Sequence, residues 1–326
     1  MGNGSKSTVS ANGTQVVFGT GPIGCATAKA LLGEGLTVRM VSRSGRQPAE
    51  ALVGKGRLET LAVDAMDPAA VLAACEGATH IYHCMNVPYQ DWQRVLFPLQ
   101  SSLIAAARAQ GAVLVVMENL YSYARGVEVI NEKTPEQPPT RKGLLRKKLH
   151  DALADEGSRN GLRWVSVRAS DYYGPGAGLQ SVFGTDRFLD PVYAGKRPGM
   201  IGNLDVPHTY TYSEDVGRAL ALAARTPAAH GTAWIVPNDR TLTTREVATM
   251  FVSAAGKGVS LGKLPRVAIS ALGIFNPLIR ELVEMLYQKE EPYVVDGSAF
   301  SERFGFRPTT LEKGIESTIA WYAHRR

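Results

Sequence analysis

Cysteine is scarce: the chain of 326 residues has three, Cys25, Cys75 and Cys84, each in an apolar stretch. An odd, sparse set excludes a disulfide framework and fits a reduced, cytoplasmic protein. Long hydrophobic runs are missing as well. The apolar segment 267–279 (VAISALGIFNPLI) is too short to span a bilayer and is interrupted by Pro277. The polar start, MGNGSKSTVSANGTQ, lacks the apolar core of a secretory leader. Met1-Gly2 opens a myristoylation pattern, but Lys6 stands where Ser or Thr is required. No membrane partner is therefore expected. Two catalytic signatures are also absent. No G-x-S-x-G elbow occurs, and Gly256-Lys257 is followed by Gly258 rather than the Ser or Thr of a phosphate-binding loop.

Acidic residues are outnumbered: 36 Lys and Arg face 30 Asp and Glu, for a net charge of +6. The basic residues are scattered apart from 141–148 (RKGLLRKK), which reads as the solvated face of a helix. No nucleic-acid partner is expected from it. His80-x-x-His83-Cys84 has the residue types of a metal site. Consecutive strand residues alternate faces, so His80 and His83 should point apart, and no metal is expected.

What the chain does have is alternation. Short β-rich runs at 15–18, 36–42, 58–63, 79–84, 112–117 and 163–167 are separated by helical patterns at 22–34, 68–75, 92–110 and 141–159. Such alternation predicts an α/β fold with a doubly wound parallel sheet. After Arg168 the pattern changes. Gly and Pro crowd 174–202, then helices are expected at 213–225, 244–255, 267–288 and 311–322, with a strand at 233–236. The reading is a flexible segment 1–14, a dinucleotide-binding domain 15–170, and a smaller C-terminal α+β lobe 171–326 partly interleaved with the sheet. Neither repeats nor low-complexity tracts occur.

The strongest local signal is V-V-F-G-T-G-P-I-G at 16–24. Gly19, Gly21 and Gly24 form G-x-G-x-x-G between a strand and a helix, with Thr20, Pro22 and Ile23 inside the turn. Gly19 permits the tight turn, Gly21 lets phosphates approach the backbone, and Gly24 lets helix and strand pack. The phosphates would meet free N–H groups at a helix N-terminus. An NAD site wants a carboxylate at the end of the second strand to hold the ribose 2′-OH. Here the segment reads V-S-R-S-G-R, placing Arg43 and Arg46 where a 2′-phosphate would sit. Guanidinium groups match phosphate, so NADP is favoured over NAD. Asp64, after the third strand, either accepts a bond from the adenine amino group or caps the next helix.

Taken together, the glycine turn, Asp64, E-N-L-Y-S-Y at 118–123, R-A-S-D-Y-Y-G-P at 168–175 and T-Y-T-Y-S-E-D-V at 209–216 resemble the extended short-chain dehydrogenase/reductases, the NAD-dependent epimerase/dehydratase family. The C-terminal segments 291–296 and 304–308 are similar too, so the likeness covers nearly the whole chain. It implies a Rossmann domain with a substrate lobe. It also implies a Tyr-x-x-x-Lys pair on the helix after strand five, where the Lys tunes a proton-exchanging Tyr. Here that helix has no tyrosine. Either Lys142 and Arg146 take the Tyr and Lys places, or Leu144 and Lys148 do. Asn119 matches the family's Ser position, and Asp171 its usual Asn. The chain thus reads as an atypical member.

Replacement chemistry is expected from Tyr121 or Tyr123, which share a face with Asn119 if the segment stays extended. Tyr121 is the preferred proton donor. Asn119 would orient a carbonyl, and Lys142, Arg146 or Lys148 would act on a developing oxyanion. Asp171 and His208 are further candidates, His208 because it titrates near neutrality. Met85 and Asn86, after strand four, and Tyr173, after strand six, are expected beside the cofactor. The leading reading is an NADP(H)-dependent reductase of a carbonyl or conjugated system in a small organic metabolite. The alternatives are an epimerase or dehydratase using the cofactor transiently, and a non-catalytic NADP-binding regulator. Relatives often pair through two long helices, here 92–110 and 141–159, which leaves a homodimer open.

Overall fold

The computed structural model describes residues 13–47, 52, 54–179, 181–264 and 277–325. The expected flexible start thus lies outside the described residues, apart from its last two. So does 267–276 of the expected helix 267–288; its remainder is helical at Pro277–Val283 and Tyr287–Glu290.

Apolar runs with both faces covered become the strands of a parallel sheet. Six come from the first half: β1 (Thr14–Phe18), β2 (Val38–Ser42), β3 (Leu58–Ala62), β4 (Ala78–His83), β5 (Val113–Asn119) and β6 (Trp164–Ala169). The chain later returns with Ala233–Ile235, which pairs with β6 and completes a seven-stranded sheet. From one edge the order is β3, β2, β1, β4, β5, β6, then Ala233–Ile235. All pairs are parallel. The order reverses between β1 and β4. Ligands of open α/β sheets bind at the carboxyl ends of the strands flanking such a reversal.

Successive strand residues feed opposite cores. Val17, Met40 and Val115 pack with helices α1 (Pro22–Gly33) and Ser213–Arg225. Val16, Phe18 and Leu114 pack on the other side with α2 (Pro68–Ala74), α3 (Trp92–Gln110) and α4 (Arg141–Asn160). The Ser213–Arg225 helix crosses α1 so closely that a Cβ on Gly217 would lie 2.3 Å from the Ala26 carbonyl carbon. The long helices end where the sequence permits a left-handed residue, Gly111 (φ +58) after α3 and Gly161 (φ +68) after α4. A third core, built on Tyr173, Phe183, Phe188 and Phe251, joins the helices Thr244–Ala254 and Leu311–Ala323. Among the described residues no helix is long and apolar enough to cross a membrane.

Candidate active site

The turn after β1 assigns each glycine a distinct task. Gly19 has φ +111, and a Cβ on it would lie 2.8 Å from the Cys84 carbonyl oxygen, at the end of the adjacent β4. A Cβ on Gly24 would stand 2.0 Å from the Gly19 carbonyl oxygen. At Gly21 the same atom would meet nothing within 4 Å. Two glycines are therefore required by packing, while the third opens onto free space. Gly21 also precedes α1, whose N-terminus has no side-chain cap and carries Pro22 in its first turn. The first N–H groups of such a helix want an acceptor, and an anion suits them. Ile23 is buried behind the turn, and Thr20 gives its carbonyl to the Cys25 thiol at 3.4 Å.

At the end of β2, Arg43 and Arg46 are exposed and form no ion pair with another described residue. Asp64 is exposed as well and accepts from Met66 N at 3.0 Å. It does not cap α2. Asp67 does, accepting from Ala69 N and Ala70 N at 2.9 and 3.2 Å.

Side chains from β4, β5 and α4 meet at the carboxyl ends of the strands. After β4 comes a one-turn helix, Tyr89–Asp91. The Tyr89 hydroxyl shares a hydrogen bond with the Tyr121 hydroxyl, O to O 2.8 Å. The Tyr121 ring stacks on Trp92 at 6.1 Å, and the Arg146 guanidinium lies 4.1 Å from the Trp92 ring centre. Arg146 Nη2 donates to Asn86 Oδ1 at 3.2 Å, while its buried Nε has no hydrogen-bond partner among the described residues. Burial lowers the Arg146 pKa; a guanidinium stays charged in proteins at neutral pH. Asn119 ends β5, and its Oδ1 accepts from Tyr121 N at 3.3 Å, which leaves its NH₂ group to donate elsewhere. Burial pushes both tyrosines above the usual phenol range. Asp171 disfavours the phenolate of both, and Tyr121 goes furthest.

On the far wall, Asp171 accepts from His208 Nε2 at 2.8 Å and pairs with the Lys289 ammonium. Burial opposes ionisation of Asp171, but Lys289 and His208 outweigh it and hold the carboxyl well below its usual range. The His208 ring is buried between Tyr210 and Tyr293, with centroids at 4.6 and 5.2 Å. Burial and then Lys289 depress its pKa below the ordinary imidazole value.

The sequence matches the model of the NAD dependent epimerase/dehydratase family over residues 16–236, more than half of the chain. The chain belongs to that family. Comparison with curated proteins gave no significant match. Among solved structures, UDP-glucuronic acid 4-epimerase from Bacillus cereus in complex with NAD is similar with a TM-score of 0.76, at 16% identity over 96% of this chain and 99% of the other. UDP-glucose 4-epimerase of Thermus thermophilus, complexed with NAD, has a TM-score of 0.73 at 23% identity, over 95% of this chain and 99% of the other. UDP-N-acetylglucosamine 4-epimerase from Methanobrevibacter ruminantium has a TM-score of 0.78 at 15% identity, over 97% and 100%. At these identities the likeness is one of fold.

Within this epimerase/dehydratase frame, the two alignments of α4 separate. Leu144 is 47% exposed and Lys148 is exposed, whereas Lys142 and Arg146 turn toward the strand ends. Gly143 fixes that register, since a Cβ there would stand 2.3 Å from the Tyr121 carbonyl oxygen. Lys142 is not a free electrostatic donor, however. Its ammonium is 5% exposed and is bound by Glu281 and by Glu284, the latter at 2.9 Å.

Three other expectations need correction. Tyr123 does not share the Asn119 face. The chain leaves the extended form after Asn119, with Tyr123 N bonding Leu120 O, and the Tyr123 ring lies under Arg168 at 4.9 Å. Tyr173 is 1% exposed in the aromatic core against Tyr212 and Phe251, so it is a packing residue rather than a cofactor contact. His208 is buried, and burial followed by Lys289 lowers its pKa from the ordinary imidazole value. Met85 sits half-buried at the end of β4, its N–H donating to His83 Nδ1 at 3.3 Å.

Sequence reasoning missed Tyr89, Trp92, Glu281, Glu284, Lys289 and Tyr293. Tyr89 and Trp92 lie three and six residues past Asn86, which was singled out. Glu281, Glu284, Lys289 and Tyr293 join the site across more than a hundred residues of chain, and no local pattern points to them.

Proposed function

We propose that the protein binds a nicotinamide dinucleotide across the β1–β4 crevice and uses it in an epimerase- or dehydratase-type reaction on a small organic metabolite. The supporting observation is the glycine cradle: Gly19 and Gly24 are fixed by packing while Gly21 faces open space before an uncapped helix. The pyrophosphate would rest against Gly21 and the first N–H groups of α1. Arg43 and Arg46, without carboxylate partners among the described residues, suit the 2′-phosphate of NADP; the Bacillus cereus and Thermus thermophilus epimerases carry NAD. Bound there, the dinucleotide supplies reversible hydride transfer.

The chain's own groups do the rest. Asn119 offers an amide donor to a substrate oxygen. Arg146, clamped by Trp92 and Asn86, supplies fixed positive charge toward an oxyanion. Asp171 stays ionised and, held by Lys289 and His208, presents an acceptor to a substrate hydroxyl.

A second reading, net carbonyl reduction, gains from the burial of Tyr89 and Tyr121. Phenols held protonated at neutral pH are suited to giving protons rather than taking them. One experiment separates the readings. The protein is incubated with NADPH, or with NADP⁺ alone, and panels of sugar nucleotides and carbonyl compounds; products are followed by NMR and cofactor by absorbance. Inverted or dehydrated product with cofactor unchanged supports the transient-redox reading. Stoichiometric loss of NADPH supports the reductase. Failure to bind any dinucleotide contradicts both.

A further inference from the structure

We propose that Arg146 makes this a site for acids: its guanidinium binds a carboxylate of the substrate, next to the carbon that reacts. The proposal deepens the dinucleotide-dependent reading above, on which it rests, by naming a substrate class for the same site.

Several charged side chains gather at the strand ends, and all but one are balanced. Lys142 and Arg141 face Glu281 and Glu284. Lys289 pairs with Asp171. Glu118 gives its oxygens to Arg168, His150 and Ser166, and acts on Arg146 only from a distance. Arg146 itself has no carboxylate partner among the described residues, and the undescribed stretch 265–276 (PRVAISALGIFN) contains neither Asp nor Glu. What holds the guanidinium is neutral: the Asn86 amide oxygen on Nη2 and the face of the Trp92 ring. Asn86 is its one hydrogen-bond acceptor among the described residues, although a guanidinium carries five N–H donors. The side chain is half-buried, so water satisfies it only in part while the crevice still reaches it. A cation so placed wants an anion, and its planar fork matches the two oxygens of a carboxylate.

Position restricts which anion. Tyr121 stacks on the same Trp92, and its N–H bonds Asn119 Oδ1, so Arg146 shares a wall with the amide that orients the substrate oxygen. The phosphates of the dinucleotide have donors of their own, at Gly21 and the uncapped start of α1. The anion on Arg146 therefore belongs to the reacting end of the substrate. Held there, the substrate presents the oxygen of its neighbouring carbon to Asn119, and the same cation faces the charge that develops on it.

The test uses the full chain labelled with ¹⁵N at arginine, with the Arg146 Nε–H resonance assigned by its absence from Arg146→Lys. The probes are acids and their uncharged counterparts: pyruvate with methyl pyruvate, glucuronate with glucose, and acetate with acetamide, each titrated with and without NADP⁺. The acids should move the Arg146 Nε–H resonance, and the tightest should bind better than its counterpart by on the order of tenfold. Arg146→Met should abolish that preference. Arg146→Lys, which keeps the charge and loses the fork, should retain part of it. Acids and counterparts binding alike, or Arg146→Met keeping the preference, would overturn the proposal. So would an Nε–H resonance moved by NADP⁺ and by no acid, which would give the cation to the coenzyme instead. Calorimetry with NADP⁺ and NAD⁺ keeps the underlying reading separate. Binding of either nucleotide without an acid preference refutes the carboxylate site alone. Acid binding at Arg146 in a protein that takes up neither nucleotide supports the carboxylate site and refutes the cofactor reading.

Discussion

Gly24 lies so tightly against Gly19 that a Cβ on it would stand 2.0 Å from the Gly19 carbonyl oxygen. The neighbouring Gly21 has no such contact and an extended φ of −75° that any residue can adopt. The two positions should therefore respond differently. Gly24→Ala should destabilise the fold by about 1–3 kcal/mol, because backbone on both sides must move. Gly21→Ala should keep wild-type stability to within about 0.5 kcal/mol and lose dinucleotide affinity, since its methyl takes space meant for phosphate. Denaturant melts and calorimetry on both variants check this.

On the proposed reading, Arg43 carries the choice of nucleotide. Arg43→Ala should weaken NADP⁺ by on the order of tenfold and leave NAD⁺ nearly unchanged, as expected for loss of a charge-assisted phosphate contact worth roughly 1.5–3 kcal/mol. Equal weakening of both nucleotides would show that the arginine does not read the 2′-phosphate.

Lys142 ties α4 to the Glu281–Glu284 segment. Removing the cation leaves two half-buried carboxylates facing each other, so Lys142→Met should cost about 3 kcal/mol. Adding Glu284→Gln should recover part of that loss, and a double-mutant cycle by urea unfolding would read the coupling. Strict additivity would show that the pair contributes nothing.

The depressed Asp171 carboxyl sets a pH dependence. Its folded pKa lies below the unfolded one, so its stabilising effect is complete above the ordinary carboxylate value of about 4 and is lost as pH falls below it. The difference in Tm between wild type and Asp171→Asn should be constant from about pH 5 to 8 and shrink on acidification. A difference that grows as the pH drops would reverse the assigned sign.

The sheet was legible because period-two and apolar runs determine which strands are buried, and the glycine turn because each glycine answers a steric demand visible in its spacing. Asn119, Tyr121, Arg146 and Asp171 were found as the residues at strand ends and on the facing helix. Tyr123 was misplaced because alternation holds only while the backbone stays extended, and the strand stops at Asn119. Tyr173 was misplaced because a strand of three residues gave no sign of the aromatic core it enters. Lys142 kept its position but not its freedom. Its partners lie some 140 residues onward, at Glu281 and Glu284, and only folding brings such charges together.

Titration calorimetry of the folded protein with NADP⁺, NADPH, NAD⁺ and NADH, run beside Gly21→Ala, tests the β1–β4 crevice as a coenzyme site most directly. Binding to the wild type, tightest for the phosphorylated forms and abolished in the variant, is the predicted result. No heat from any of the four nucleotides, or equal heats from both proteins, would contradict it.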